Sequence, residues 1–521
     1  MHQAGLPMQR REGYVTEIDY ISTVLLELNP AWLAVAAGWC GVRPPPLDRA
    51  FRYLELGCGH GANLLLAAAL FPHGRFVGND FMASHVESAC RLRDAAGLGN
   101  LAILPDSFAE LARRDDLPEF DFIAAHGVYS WISAENQGHI VEIVRRHLKP
   151  GGIFYVSYNC AAGWAGRSGL RQLLAELVRQ DHGPLPERMD RALAAAAGLA
   201  AAGRAAPALS GLEETVRSLL PQSRAYLVHE YLNDNWRPLH HPEVASTMAA
   251  AGLAYIGSAR PADNMLLGAV SPTLLPHLAA QPKGPVREQM IDMAAGRGFR
   301  CDLYGRDTPP LDDAARRRRW ETTRFVRLRD TAQCPPQAAL ATGPLPLDPA
   351  RHAAVLGALD SGPAGFAALR ELPVLRAAGE RAVQDLLTLM AVAGQIMPLP
   401  GDVQPSAAGA AALNRALVEQ ARIGRAAGFL AAPGIAGSVS IGIVDMLLAG
   451  AALEGAAALA ERAWRDVAAL GRPIPWDREV IAADAAGRAT LDRLEGRFRE
   501  QVLPWLQAFG IVGWEGPPAA P

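Results

Sequence analysis

Between Ala31 and Tyr158, short apolar runs alternate with longer stretches in which apolar residues recur every three to four positions. The short runs are Tyr53 to Leu56, Arg75 to Asn79, Leu101 to Leu104, Phe120 to Ala125 and Ile153 to Tyr158, and they have the length and flanks of buried strands. The stretches between them, Ala62 to Leu70, Ala83 to Ala96, Ser107 to Arg113 and Glu135 to His147, read as helices. Ala31 to Trp39 is a further helix, stopped by Pro44-Pro45-Pro46. Strands and helices alternating over short connections predict an α/β fold with a doubly wound parallel sheet. After Trp164 the alternation ends, and alanine-rich, helix-prone sequence runs to about Leu220. Ala225 to Leu232 and Leu253 to Ala259 then read as strands around a helix from Pro242 to Ala251, either completing the first sheet or opening a second domain. Asp307 to Leu311 and Cys334 to Asp348 are the linker candidates, and the remainder reads as mostly helical. The expected division is 1–180 for the sheet domain, 181–330 for a helical insertion and middle domain, and 331–521 for a mostly helical C-terminal domain.

Composition narrows the picture. At 521 residues the chain exceeds the size at which one core stops growing, about 250–300 residues, so several domains are expected. With 50% hydrophobic and 20% charged residues and a net charge of -3, it offers no basic field for nucleic acid or anionic lipid. The run Arg316 to Arg319 reads as a solvated helix face. The six cysteines lack the close spacing of zinc sites or of a dense disulfide framework, which fits a reducing compartment. Met1 to Tyr14 lacks the apolar core of an export signal, so a cytoplasmic location is expected. Ala426 to Val444 is uncharged and near the length of a membrane span, but Pro433 and several glycines mark it as a buried helix-turn-strand passage. A homodimer is left open.

The first strand runs directly into Glu55-Leu56-Gly57-Cys58-Gly59-His60-Gly61-Ala62-Asn63. Glycines at such a turn reach positive φ and let a ligand approach the backbone, while the helix behind them presents free N–H groups to an anion. The spacing alone suits a dinucleotide as well as an amino-acid-bearing cofactor. Glu55 separates the two: two residues before Gly57, a carboxylate repels pyrophosphate but holds an ammonium, which favours S-adenosyl-L-methionine. Asp80 closes the second strand, where an acid takes the ribose hydroxyls. Asp106 closes the third, in Leu104-Pro105-Asp106-Ser107-Phe108, where a carboxylate can accept the adenine amino group while Phe81 or Phe108 covers the ring.

On these residues the chain resembles the class I methyltransferase family, whose fold is a Rossmann-like sheet. Glu55 to Gly61 matches the family's glycine-rich motif, Asp80 its ribose acid, Asp106 its adenine acid, and Leu148-Lys149-Pro150-Gly151-Gly152 its turn before the fifth strand. His126-Gly127-Val128-Tyr129-Ser130-Trp131-Ile132 and Val156-Ser157-Tyr158-Asn159, followed by Gly163-Trp164, resemble the bacterial branch that carries a regulatory domain. That branch includes the rickettsial protein-lysine methyltransferases that act on outer-membrane protein. Ala162 stands where the branch has proline, so the substrate-side loop differs. The resemblance is loose from His229 to Arg300 and transfers no functional residues there.

The cofactor site expected from this reading comprises Glu55, Gly57, Gly59, Gly61, Asp80, Phe81, Asp106, Ser107, Phe108 and His126. Methyl transfer from a sulfonium is an in-line displacement that needs a lone pair at the methyl carbon and a desolvated site, and no metal. His126, Tyr158 and Asn159 are the candidate catalytic residues, at the ends of the fourth and fifth strands. Tyr129, Trp131, Tyr158 and Trp164 are the candidate substrate-binding residues, since aromatic faces hold an alkylammonium and burial lowers its pKa. Tyr158-Asn159 is not followed by the Pro-Pro-aromatic sequence associated with amide and nucleobase methylation. His240-His241 reads as two loop residues, without ligand spacing for a metal. Tyr14, Glu17, Asp19 and Tyr20 lie in a segment that caps the cofactor in many members of the family. The expected function is methylation of lysine side chains in a protein substrate. The alternative is a small-molecule acceptor, with the later domains forming a lid.

Overall fold

The computed structural model describes residues 10–11, 13–15, 23–203, 211–340, 343–476 and 479–513. Its centre is a seven-stranded sheet built from β1 (Phe51–Leu56), β2 (Gly74–Asn79), β3 (Leu101–Leu104), β4 (Phe120–Ala125), β5 (Leu148–Asn159), β6 (Ala254–Ser258) and β7 (Phe299–Gly305), in the order β3-β2-β1-β4-β5-β7-β6. The strands are parallel except β7, which pairs antiparallel with both β5 and β6. The order reverses between β1 and β4, so a crevice opens at the carboxyl ends of these strands.

The first five strands and their helices follow the periodicity of the sequence. The sheet draws as well on residues well beyond 180, because β6 and β7 complete it. Ala225 to Leu232 corrects the expectation of a strand. It lies in the helix Arg224–Tyr231, whose first turn is capped by Ser223 and which buries Leu227, Val228 and Tyr231. Local β propensity there yields to helical packing against Leu174, Leu185 and Leu193 in one core cluster. Cys334 to Asp348 is likewise no open linker: Gln337–Leu340 and Gly343–Pro346 form a hairpin. Ala426 to Val444 is buried through a hairpin, Phe429–Ala432 with Gly437–Ser440, rather than through a helix-turn-strand.

Strand alternation sends side chains to two cores. Tyr53, Phe122, Ile153 and Tyr155 face the helix Ala62–Leu70, and this core continues without interruption into the C-terminal helices. Leu54, Ile123, Phe154, Val156 and Tyr158 face the helices Phe108–Ala112, Ala134–His147 and His241–Ala250. Gly409, on the helix Ala407–Arg422, lies against the Ala69 carbonyl so closely that any Cβ would collide. The C-terminal region is thereby packed onto the back of the helix that the glycine loop opens. No helix among the described residues is long and apolar enough to cross a membrane.

Candidate active site

A cavity of about 740 Å³ opens at the carboxyl ends of β1, β2, β3, β4 and β5. Its cofactor end grows out of the glycine loop. Gly57, Gly59 and Gly61 all have positive φ, at 70°, 55° and 71°. At Gly57 a Cβ would come within 2.6 Å of Val128, whereas the space beside Gly59 is open, which leaves room for a ligand against the backbone. Gly61 does not line the cavity, contrary to the expectation of direct cofactor contact. It caps the helix Ala62–Leu70 in the left-handed region, where a Cβ would lie 3.0 Å from that of Ala89, and so it serves the packing of the turn.

Asp80 follows β2 and is nearly buried. Its two oxygens accept the N–H groups of Gly59 and Met82, each at 2.9 Å, which ties the acid to the loop. Asp106 follows β3, lines the cavity and receives Arg114 at 2.8 Å. Ser107 and Phe108 also line the cavity. Ser107 caps the helix Phe108–Ala112, and both its N–H and its hydroxyl donate to Glu110. Phe81 stands edge-on to Tyr14 at 6.1 Å, and Tyr14 stacks on His229 at 5.1 Å, so residues from three separate segments close one side. Glu17, Asp19 and Tyr20 lie outside the described residues.

Glu55 is buried at the root of the loop, and its Oε2 has no hydrogen-bond partner among the described residues. Burial pushes its carboxyl up to about 8, against the lowering effect of Asn63, and the nearby Asp80 adds to the rise. A buried acid with one oxygen unpartnered beside an open glycine backbone fits the amino group of a bound amino acid, as the methionine part of S-adenosylmethionine requires. The residues present therefore suit that cofactor: Glu55 and the loop would hold the methionine part, Asp80 the ribose, and Asp106 with Phe108 the adenine.

The acceptor end departs further from expectation. His126 lines the cavity and its Nδ1 lies 2.7 Å from the Tyr155 hydroxyl. Burial, with Arg260, holds its pKa below the ordinary histidine value despite Glu27, so the ring is neutral at pH 7. Trp131, Asn159 and Trp164 line the cavity as expected. Tyr158 does not. It belongs to the opposite face of β5, where its hydroxyl donates to Asp302 at 2.7 Å within a buried group that includes His241 and Arg300. Burial alone would raise the Asp302 carboxyl, but Arg300, His241 and Tyr158 hold it down at about 2. Tyr158 thus packs in the core and does not reach the cavity, contrary to the expectation for it. Tyr129 is buried in the same core cluster and does not line the cavity either. His241 is no loop residue: it opens the helix His241–Ala250, fully buried beside Asp302.

Sequence reading missed the helical insertion's contribution. Arg167, Tyr226, His229, Glu230 and Asn233 all line the cavity, and Phe299 enters it from the start of β7. Asn159 is held by Ser130, whose hydroxyl accepts its N–H at 2.9 Å, and its Nδ2 donates to Glu230 at 3.2 Å. Glu230 carried no sequence signal beyond a helical spacing of Leu227, Val228 and Tyr231 that Tyr226 and His229 obscure.

Residues 47–189 match the family model of a methyltransferase domain, and residues 223–306 that of a predicted methyltransferase regulatory domain. With the crevice, the glycine loop and the buried Glu55, the matched domain makes the chain an S-adenosylmethionine-dependent methyltransferase. The segment that matches the regulatory-domain model supplies the helix Arg224–Tyr231 and strands β6 and β7. An uncharacterized protein of Synechocystis is 27% identical over 507 residues, covering 97% of this chain and 100% of its own. One from Rickettsia prowazekii is 28% identical over 221 residues, covering 42% of this chain and 86% of its own. Among solved structures, PKMT2 from Rickettsia typhi in complex with AdoHcy has a TM-score of 0.68 at 18% identity, over 94% of this chain and 99% of that one. At that identity the likeness is one of fold.

Proposed function

We propose that this methyltransferase acts in the cytoplasm on lysine side chains of a protein substrate. The observation that carries the reading is that four aromatic residues, Trp131, Trp164, Tyr226 and Phe299, line the same cavity as the hydrogen-bonded Asn159 and Glu230 side chains. Aromatic faces hold an alkylammonium, and a chamber that excludes water favours the neutral amine that must attack. When bound, the cofactor supplies an electrophilic methyl group. The neutral His126 adds no positive charge to the cavity, and Ser130 fixes the backbone N–H of Asn159, a residue that also lines it. The likeness of fold to a rickettsial protein-lysine methyltransferase over nearly the whole chain supports the same acceptor class. All six cysteines are unpaired, which suits a reducing interior.

The test is incubation of the purified chain with tritiated S-adenosylmethionine and a bacterial lysate, followed by acid hydrolysis of the protein fraction. Label recovered as methyllysine is the expected result. Label confined to the small-molecule fraction would replace this reading with a small-molecule acceptor, and label on any other amino acid would overturn the lysine assignment.

A further inference from the structure

We propose that Glu230 receives the positive charge of the methyl acceptor and then its proton, so that the acceptor is a primary alkylammonium. This rests on the lysine reading above and deepens it by naming the residue that selects and deprotonates the amine. Glu230 stands on the helix Arg224–Tyr231 and lines the same cavity as Asp80 and His126, at the acceptor end. Among the described residues its carboxylate makes one side-chain hydrogen bond, from Asn159 Nδ2. Arg171, whose charge bears on Glu230, donates to the Asn233 carbonyl and lies over the Trp236 ring at 4.4 Å. An acid enclosed this way, without an ion pair of its own, is costly unless a ligand completes it.

The surroundings define what that ligand is. Tyr226 and Tyr231 flank Glu230 on its own helix, and burial together with the Glu230 charge raises both phenols above their ordinary values, so they stay protonated. Arg171 acts on Glu230 through its charge, and Arg167, His126 and Arg260 line the same cavity. Burial raises the Glu230 carboxyl to about 7, against Asn159 and Arg171. That value lets one group serve as anion for the arriving ammonium and as base for its proton near neutral pH. Glu230 is partly buried in the cavity, so pairing with an ammonium costs both charges some hydration, which brings the ion pair and the neutral acid–amine pair closer in energy.

The step balances. An N–H bond of the ammonium breaks and its proton passes to a Glu230 oxygen, leaving a lone pair on nitrogen. That pair forms the new N–C bond as the S–C bond breaks, and the electrons of the broken bond remain on sulfur. The product ammonium carries a methyl group in place of one proton, and Glu230 gives that proton to water, one released per transfer.

The test compares wild type with Glu230→Gln, which keeps the size and the hydrogen bond to Asn159 but accepts no proton. Saturation-transfer NMR on the AdoHcy complex measures binding of n-butylammonium, a lysine side-chain analogue, against uncharged butan-1-ol. Wild type should prefer the ammonium at least tenfold, and E230Q should show a preference near one, with AdoHcy affinity within twofold of wild type as the check on folding. In the methyllysine assay, wild-type turnover per unit Michaelis constant should fall on the acid side of about pH 7, and E230Q should be reduced at least hundredfold with that limb absent. An unchanged ammonium preference in E230Q, or no preference in wild type, would overturn the assignment. Should methyllysine fail to appear with wild type, the lysine reading itself fails, independently of what E230Q does.

Discussion

The two ends of the cavity are built in different ways. The cofactor end consists of neighbouring strand ends, with Glu55 next to last in β1, Asp80 one residue beyond β2 and Asp106 two beyond β3, and its glycines fix the loop through backbone geometry. The acceptor end is assembled from distant segments: Trp131 after β4, Asn159 at the end of β5, Glu230 on an inserted helix and Phe299 at the start of β7. The first kind of site is specified by local sequence, and the second exists only once the insertion has packed. A fold can therefore keep one cofactor and change acceptors by altering the insertion.

The largest expected effect tests whether the acceptor wall depends on packing of the insertion. Trp164 is buried against Tyr231 and Trp236, with ring centroids 5.9 and 4.8 Å away. Trp164→Ala should destabilise this region by about 3–5 kcal/mol, the usual cost of truncating a buried tryptophan, read as a lower midpoint in denaturant. Unchanged stability would show that the tryptophan contributes little to packing and is there for the acceptor.

At the other end, Asp80→Ala removes a carboxylate that serves both the ribose position and the Gly59 and Met82 N–H groups. Calorimetry should show AdoHcy binding weakened by about 1.5–3 kcal/mol, with the chain still folded. An undiminished affinity would place the ribose elsewhere and erase the distinction between the two ends.

Tyr158→Phe should behave unlike a change at either end. It removes one of three donors to the buried Asp302, and Arg300 and His241 remain, so a stability loss of about 1 kcal/mol is expected, with AdoHcy affinity and turnover unchanged. A large fall in turnover at unchanged stability would return the tyrosine to the chemistry.

The contrast also explains what was legible in the sequence. The glycine loop, the three acids and the first five strands stand out because each is fixed by neighbours in the chain. Tyr158 was misplaced because it was read together with Asn159, although adjacent strand residues face opposite sides of a sheet. β7 escaped notice because its alternation is Cys301 and Leu303 against Arg300 and Asp302, a buried charged face that looks like a surface one. Glu230 was hidden inside Ala225 to Leu232, where aromatic and branched residues imitate a strand and only tertiary packing selects the helix.

The smallest effect concerns pH. Because burial raises the Glu55 carboxyl to about 8, the carboxylate that pairs with the cofactor's ammonium forms only as pH rises through that value. AdoHcy affinity should then increase about fivefold from pH 7 to pH 8, as the ionised fraction of the free site grows. The same raised pKa works in the opposite sense on folding: its contribution to stability is present at low pH and is lost as pH rises through about 8. Glu55→Gln should abolish the rise in affinity, and a flat profile in wild type would remove the ammonium from Glu55.

A crystal structure of the AdoHcy complex tests most directly whether one cavity holds the cofactor at one end and opens on the acceptor at the other. The account predicts the amino group within hydrogen-bonding distance of Glu55, the ribose hydroxyls on Asp80, and the sulfur turned toward Asn159 and Glu230. A ligand seated outside this cavity, or one whose sulfur points away from the Asn159 and Glu230 pair, would contradict it.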